Sequence, residues 1–379
     1  MKKKVIGVLL SSAMVVTMLA GCGSSASTTT SSAPASEPAA ETTVASTAEA
    51  ASEMSSAASS AAASGDLITV GFAQVGHESD WRAASTNSAQ DVFSKKNGFD
   101  LQFNDADNDS AAQLEAIRGF IEQGVDYIVI DPIVSTGWDT VLTEASDAGI
   151  PVFVIDRTID DSKNYTAWYG SDFKSEGEAA GAWLQAYLEA KGKGSDKVNI
   201  AVIAGTNGAS AQIGRSEGFD EYVTANKNWT KLDEQDGNFT QDGGQQIMES
   251  YLKSYDDIDV VVCQNDNEAF GAIDALKAAG KSYGVKGDTI IISFDSTNAG
   301  LTSVLAGDIN ADFECNPLAA PYVAEGIKTL QSGGKIDQQQ VYMDQACFSA
   351  DDSVKEIKVG DATKEMTVVT QEVIDARAY

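Results

Sequence analysis

Histidine is almost missing from this chain: His77 is the only one among 379 residues. A histidine-based catalytic triad or a multi-histidine metal site therefore has little to draw on. No HExxH or phosphate-loop pattern stands in for it. Basic residues are also short, with 26 Lys and Arg against 56 Asp and Glu and a net charge of -30. Nucleic acid, which demands a basic footprint, is not an expected partner. Cysteine is scarce as well, four in all, with no CxxC or other short metal-ligand spacing. No metal, cofactor or catalytic residue is expected.

What is present begins with a positive start, Lys2, Lys3 and Lys4, ahead of a short apolar run over residues 5–20. Such a run is too short and wrongly flanked for a membrane span, and it reads as a secretory signal. It closes on Leu19-Ala20-Gly21-Cys22, which resembles the bacterial lipoprotein signal. That resemblance implies loss of residues 1–21 and a lipid on Cys22, hence an extracytoplasmic protein anchored to the cell membrane. Residues 22–65 are mostly Ser, Thr and Ala without an aromatic. They cannot bury enough apolar surface to offset ordering, and read as a disordered tether. Cys263, Cys315 and Cys347 remain, an odd number that leaves at least one unpaired. The plainer reading makes them small buried hydrophobes, with a Cys315–Cys347 bridge left open.

From Leu67 onward, short apolar runs alternate with amphipathic stretches. Leu67-Ile68-Thr69-Val70-Gly71-Phe72 reads as a strand, as do residues 101–103, 127–130 and 151–155. Between them, Ala89, Val92 and Phe93, then Leu114, Ile117 and Ile121, then Trp138, Val141, Leu142 and Ala145 mark helical faces. Gly98, Gly124 and Gly149 stop the three. The alternation repeats, with strands predicted at 198–204, 231–235, 260–263 and 289–294 and a helix at 210–225. Two such series predict an α/β fold of two doubly wound lobes, parallel sheets with helices on both faces. Ligands of such sheets bind at the carboxyl ends of the strands.

Those ends carry polar and aromatic side chains. Gln74, Glu78, Trp81 and Arg82 follow the first strand; Asp156 and Arg157 follow the fourth; Phe239, Asn265 and Asp295 follow later ones. Carboxylates, Asn and Arg form paired hydrogen bonds to adjacent hydroxyls, and aromatic faces cover apolar C–H surface. Each has a plainer role when taken alone: Asp295 a helix cap, Asp156 and Arg157 a structural ion pair, Trp81 and Phe239 core. Their joint recurrence at strand ends favours a binding cleft. Trp138, on an apolar helical face, belongs to the core.

The folded region resembles the periplasmic sugar-binding proteins of the ribose-binding type, and within them the galactofuranose-binding ones. The likeness rests on residues 70–76 with Glu78, Trp81 and Arg82; Gly137-Trp138; residues 150–153 running to Asp156-Arg157; Gly208-Ala209-Ser210; Gly218-Phe219; Asn265-Asp266; and Phe294-Asp295. It implies a type I periplasmic binding fold, with a three-strand hinge joining lobes of residues 67–171 plus 316–341 and 172–315 plus 342–379. It implies that Asp156, Arg157, Asn265 and Asp295 bind sugar hydroxyls, that Phe239 stacks on the ring, and that Trp81 and Arg82 mark the furanose type. Glu314 joins the candidate contacts. Phe173 stands where the family usually has a ligand-binding Asn, and Ile213 where ribose binders have an Arg, which argues against ribose.

The resemblance further implies a monomer that delivers a monosaccharide to the permease of an ABC importer. Two rivals share the fold or the residues. A glycosidase would use paired carboxylates but lacks the motifs noted above. A transcriptional regulator would need a DNA-binding helix-turn-helix where this chain has a signal and tether. A sensor component that docks to a membrane receptor remains open at this level.

Overall fold

The computed structural model describes residues 67–160 and 162–379. The signal, the tether and Cys22 lie outside the described residues.

The first series of elements is β1 (Ile68–Gln74), α1 (Asp80–Val92), β2 (Phe99–Asp105), α2 (Ser110–Gln123), β3 (Tyr127–Ile130), α3 (Asp139–Asp147), β4 (Val152–Ile155) and β5 (Ala167–Gly170). The second is α4 (Phe173–Ala190), β6 (Val198–Ala204), α5 (Ser210–Ala225), β7 (Trp229–Asp236), α6 (Gln241–Ser254), β8 (Val260–Cys263), α7 (Asp266–Ala278), β9 (Ile290–Asp295), α8 (Asn298–Ala306) and β10 (Ala311–Glu314). The chain then returns to the first half with α9 (Ala320–Gln331) and β11 (Gln340–Tyr342). It finishes in the second with β12 (Cys347–Ser349), β13 (Glu356–Val359), β14 (Ala362–Val368) and α10 (Gln371–Asp375).

The strands form two sheets, ordered β11-β5-β4-β3-β1-β2 and β13-β14-β12-β10-β9-β8-β6-β7. Pairing is parallel except where β10 meets β12 and β13 meets β14. The chain passes between the sheets three times, after β5, after β10 and after β11. The third passage follows Tyr342, slightly beyond the expected point, because residues 340–342 still pair with residues 168–170 of β5.

Both sheets are covered on both faces, as their unbroken apolar strands require. In the first, Val70, Phe72 and Val129 point into one core and Ala73, Ile128 and Ile130 into another. In the second, Ile200, Val202 and Val260 face one core while Ala201, Ile203 and Val261 face its opposite. Alternate residues serve opposite faces because the strand repeat is two. Each fully buried aliphatic or aromatic side chain contributes about 1.5–3 kcal/mol. Trp138 and Trp168 sit in a core of the first sheet, Trp183 and Trp229 in a core of the second.

Local signals set the helix ends. Asp109 accepts the amides of Ala111 and Ala112 to start α2, and Gly124 ends it at φ 67°. The three described cysteines are buried and unpaired, so no Cys315–Cys347 bridge forms.

In each sheet the first strand of its series lies between the second and the third: β1 between β2 and β3, β6 between β7 and β8. The strand order reverses there, and the crevice at the carboxyl ends lies beside that reversal.

Candidate functional site

The carboxyl ends of β1, β3 and β4 meet around one buried guanidinium. Arg82 sits in the first turn of α1, which Ser79 caps by accepting the Arg82 amide at 3.1 Å. Its Nε donates to Glu78 Oε1 at 2.9 Å, one Nη donates to Asp131, and the other donates to Asp156 Oδ2 at 3.1 Å. All three nitrogens of this guanidinium are thus bonded to carboxylates. Burial disfavours its charge, but Asp131, Glu78 and Asp156 outweigh that and hold it firmly protonated. Burial also opposes ionisation of Glu78, yet Arg82 and Arg157 keep its carboxyl below the ordinary value. Asp131, fully buried, is pushed well above the usual carboxylate range by burial against the pull of Arg82.

Arg157 is different. It follows Asp156, whose φ of 57° turns the chain sharply at the end of β4. One Nη donates to Ile133 O at 2.9 Å. Its Nε and other Nη stand 3.9 Å from Asp156 and 3.8 Å from Glu78, beyond hydrogen-bond distance. Its guanidinium lies over the Phe239 ring, 5.1 Å from the centroid. Burial and the neighbouring charge of Arg82 push its pKa down.

The second half mirrors this. Arg215 of α5 donates through Nε to Glu176 of α4 at 2.7 Å, through one Nη to Gln264 O, and through the other to Asp295 at 3.2 Å. Burial pushes the Glu176 carboxyl up to about 7, and Asp295 well above its ordinary value, each against the pull of Arg215. Asn265 caps α7 by accepting the Glu268 amide at 2.8 Å and donates to Phe239 O at 2.9 Å. The second Nδ2 hydrogen of its amide has no hydrogen-bond partner among the described residues.

Between these clusters lies a narrow cleft, lined by Glu78, Ser79, Trp81, Arg82, Asp156, Arg157, Ala211, Arg215, Phe239, Asn265, Asp295 and Cys315. Trp81 packs with Phe173, Ala209, Ala211, Phe239 and Cys315 across it, and its Nε1 donates to Cys315 O at 2.7 Å. Three more hydrogen bonds join the halves: Asp80 N to Asn267 Oδ1 at 3.0 Å, Ser135 N to Gly208 O at 2.9 Å, and Thr158 N to Ser210 Oγ at 2.8 Å. The two halves are closed on each other.

Of the residues singled out in the sequence, the structure gathers Glu78, Trp81, Arg82, Asp156, Arg157, Phe239, Asn265 and Asp295 on this lining. Gln74 stands apart: it is buried at the end of β1, where its amide donates to Thr86. Phe173 opens α4 and packs in the apolar cluster beside the cleft. Glu314 is turned away, holding Ala346 N, Arg377 and the Tyr379 hydroxyl. Three residues escaped the sequence reading. Asp131 directly follows β3, and the strand-end rule that found Asp156 finds it too. Glu176 and Arg215 lie within helices and carry no such mark.

Residues 70–324 match the periplasmic binding protein domain family. The galactofuranose-binding protein YtfQ of Escherichia coli is 36% identical over 296 residues, covering 77% of this chain and 91% of that protein. The fructose import binding protein FruE of Bifidobacterium longum is 30% identical, covering 71% of this chain and 81% of that protein. Among solved structures, a protein from Mycobacterium smegmatis in complex with β-D-fucofuranose aligns with a TM-score of 0.71 at 40% identity, over 76% of this chain and 93% of that one. An arabinose transporter component from Shewanella sp. ANA-3 bound to L-arabinofuranose aligns at 0.69 and 35% identity, over 75% and 93%.

Proposed function

The chain belongs to the periplasmic binding protein family, a family of solute-binding proteins rather than enzymes, and from that premise we propose that it binds a neutral monosaccharide in furanose form for an ABC importer. The carrying observation is Arg157. It is buried across the Phe239 ring, with donors uncommitted to any carboxylate, beside Asp156 and within the same lining as Asp295. A sugar hydroxyl both donates and accepts, so a lining that offers guanidinium donors next to carboxylate acceptors meets it on both counts. The Phe239 and Trp81 rings supply apolar surface for the C–H face.

The carboxyl groups of Glu78, Asp131, Asp156, Glu176 and Asp295 stand around the three arginines Arg82, Arg157 and Arg215. Acid and base alternate along the lining, which suits a ligand whose groups both donate and accept and which carries no net charge. Relatives that carry furanoses in their names or complexes support the ring form. The lipid on Cys22 and the tether of residues 22–65 complete the reading: they hold the protein at the outer face of the cell membrane, where the two halves open, load and pass the sugar to the permease.

Titration calorimetry of the purified protein against D-galactose, D-fucose, L-arabinose and D-fructose tests the reading. Binding of at least one is expected. Silence with all four, or preference for a sugar acid over its neutral parent, would overturn it.

A further inference from the structure

Asp295 is held by a turn that ought not to be comfortable. Asp295 has φ 99° and Ser296 has φ 55°. Left-handed backbone at consecutive non-glycine residues costs energy and persists only where the surroundings dictate it. Here they do. Ser296 N and Oγ both donate to Asp312 Oδ1 at 3.1 Å. Thr297 N and Oγ1 donate to Asp266 Oδ2 at 2.9 and 2.7 Å. Two buried carboxylates thus hold the turn from beneath.

The remaining polar atom of the Ser296 backbone, its carbonyl, accepts from Arg377 Nη2 at 2.9 Å. Arg377 lies after α10, far along the chain. Its Nη1 donates to Glu314 Oε1 at 2.8 Å, and Glu314 Oε2 accepts Ala346 N at 2.7 Å. Glu314 ends β10 where the chain leaves this half, and Ala346 lies where it comes back. Tyr379 adds a hydroxyl donated to Glu314 at 2.5 Å, a ring 4.4 Å from the Arg377 guanidinium, and a carbonyl that accepts Asn298 N at 2.8 Å.

We propose that Arg377 is a positioning residue for ligand binding: its fork ties the interlobe passages at Glu314 and Ala346 to the turn that presents Asp295. This rests on the reading that Asp295 contacts the ligand. The guanidinium spans two acceptors at once; a lysine ammonium, a point charge, meets one or the other.

The test compares wild type with Arg377→Met and Arg377→Lys in the full protein. Hydrogen exchange of the Ser296 and Thr297 amides is measured without ligand, and affinity is measured for D-galactose, L-arabinose and D-fructose. In Arg377→Met the two amides should exchange about tenfold faster while Val202 and Val261, in central strands, stay protected. Affinity for the sugar that wild type prefers should fall about tenfold. Arg377→Lys should lie between the two on both measures. Unchanged exchange at the turn overturns the proposal. So does an equal rise at Val202 and Val261, which would mean general loosening. If wild type binds none of these three sugars nor D-fucose, the furanose reading fails on its own, and the exchange at Ser296 and Thr297 still decides whether Arg377 holds the turn.

Discussion

At the scale of single residues, the arginines of the cleft are not equivalent. Arg82 and Arg215 have all three guanidinium nitrogens bonded within the protein, whereas Arg157 has two nitrogens without a hydrogen-bond partner. Removing Arg157 should therefore cost binding more than folding. Arg157→Ala is expected to weaken sugar affinity at least about tenfold, roughly 1.4 kcal/mol, as read by calorimetry. Glu176 makes a second prediction, on pH. Its carboxyl is raised from 4.5 to about 7 in the folded protein. Between those values the folded state holds a proton that the unfolded chain has released, so stability falls as pH rises and the contribution is gone above about 7. Glu176→Gln stays neutral throughout. Its urea midpoint should fall less than that of wild type from about pH 5 to about pH 8. Parallel curves would contradict the shift. These residues also mark what the sequence could disclose. Asp156, Arg157 and Asp295 were legible because strand ends are legible, and Asp131 lies under the same rule. Glu176 and Arg215 were not, since a helical acid and a helical arginine look like solvated surface until a second helix is laid against them. Glu314 misled for the opposite reason: it ends a strand, but its partners arrive from the end of the chain.

At the scale of elements, the pair Glu176–Arg215 exists because α4 and α5 approach almost backbone to backbone. A Cβ on Gly177 would lie 2.2 Å from Arg215 O, and one on Gly218 would lie 2.2 Å from Lys174 O. Both are main-chain contacts that no rotamer change relieves. Gly177→Ala should destabilise by about 1–3 kcal/mol through overpacking. Because it also drives the helices apart, it should lower sugar affinity by displacing Arg215 from Asp295. Denaturant unfolding and calorimetry read the two effects. The strands and helices themselves followed from period and punctuation, and residues 127–130, 198–204 and 260–263 fall where their apolar runs predict. The small residues of α4 and α5 gave no comparable warning, since a glycine inside a helical pattern reads as a weakness before its neighbour is known.

At the scale of the whole molecule, closure is written in a few bonds between the halves. Thr158 N donates to Ser210 Oγ at 2.8 Å, and that contact exists only while the halves meet. Ser210→Ala removes a bond of about 0.5–1.5 kcal/mol from the closed form alone. Apparent affinity should fall about two- to tenfold. Scattering at ligand saturation should give the same radius of gyration as wild type, because bound protein still closes. An altered radius at saturation, or unchanged affinity, would contradict this role. The two-lobed plan was plain from the repeated alternation of strand and helix. The closed contacts were not, because they join loops whose distance along the chain says nothing of their distance in space.

Trp81 lies on the cleft lining, 4.7 Å from the Arg82 guanidinium, while Trp138, Trp168, Trp183 and Trp229 are enclosed in the cores of their own sheets. Trp168 reaches the lining through its Nε1, which donates to Asp156 O at 3.0 Å. Trp81 is the one indole on the cleft lining itself, so a change in indole emission when a solute is added should arise mainly there, and the protein carries its own optical reporter of occupancy without a dye.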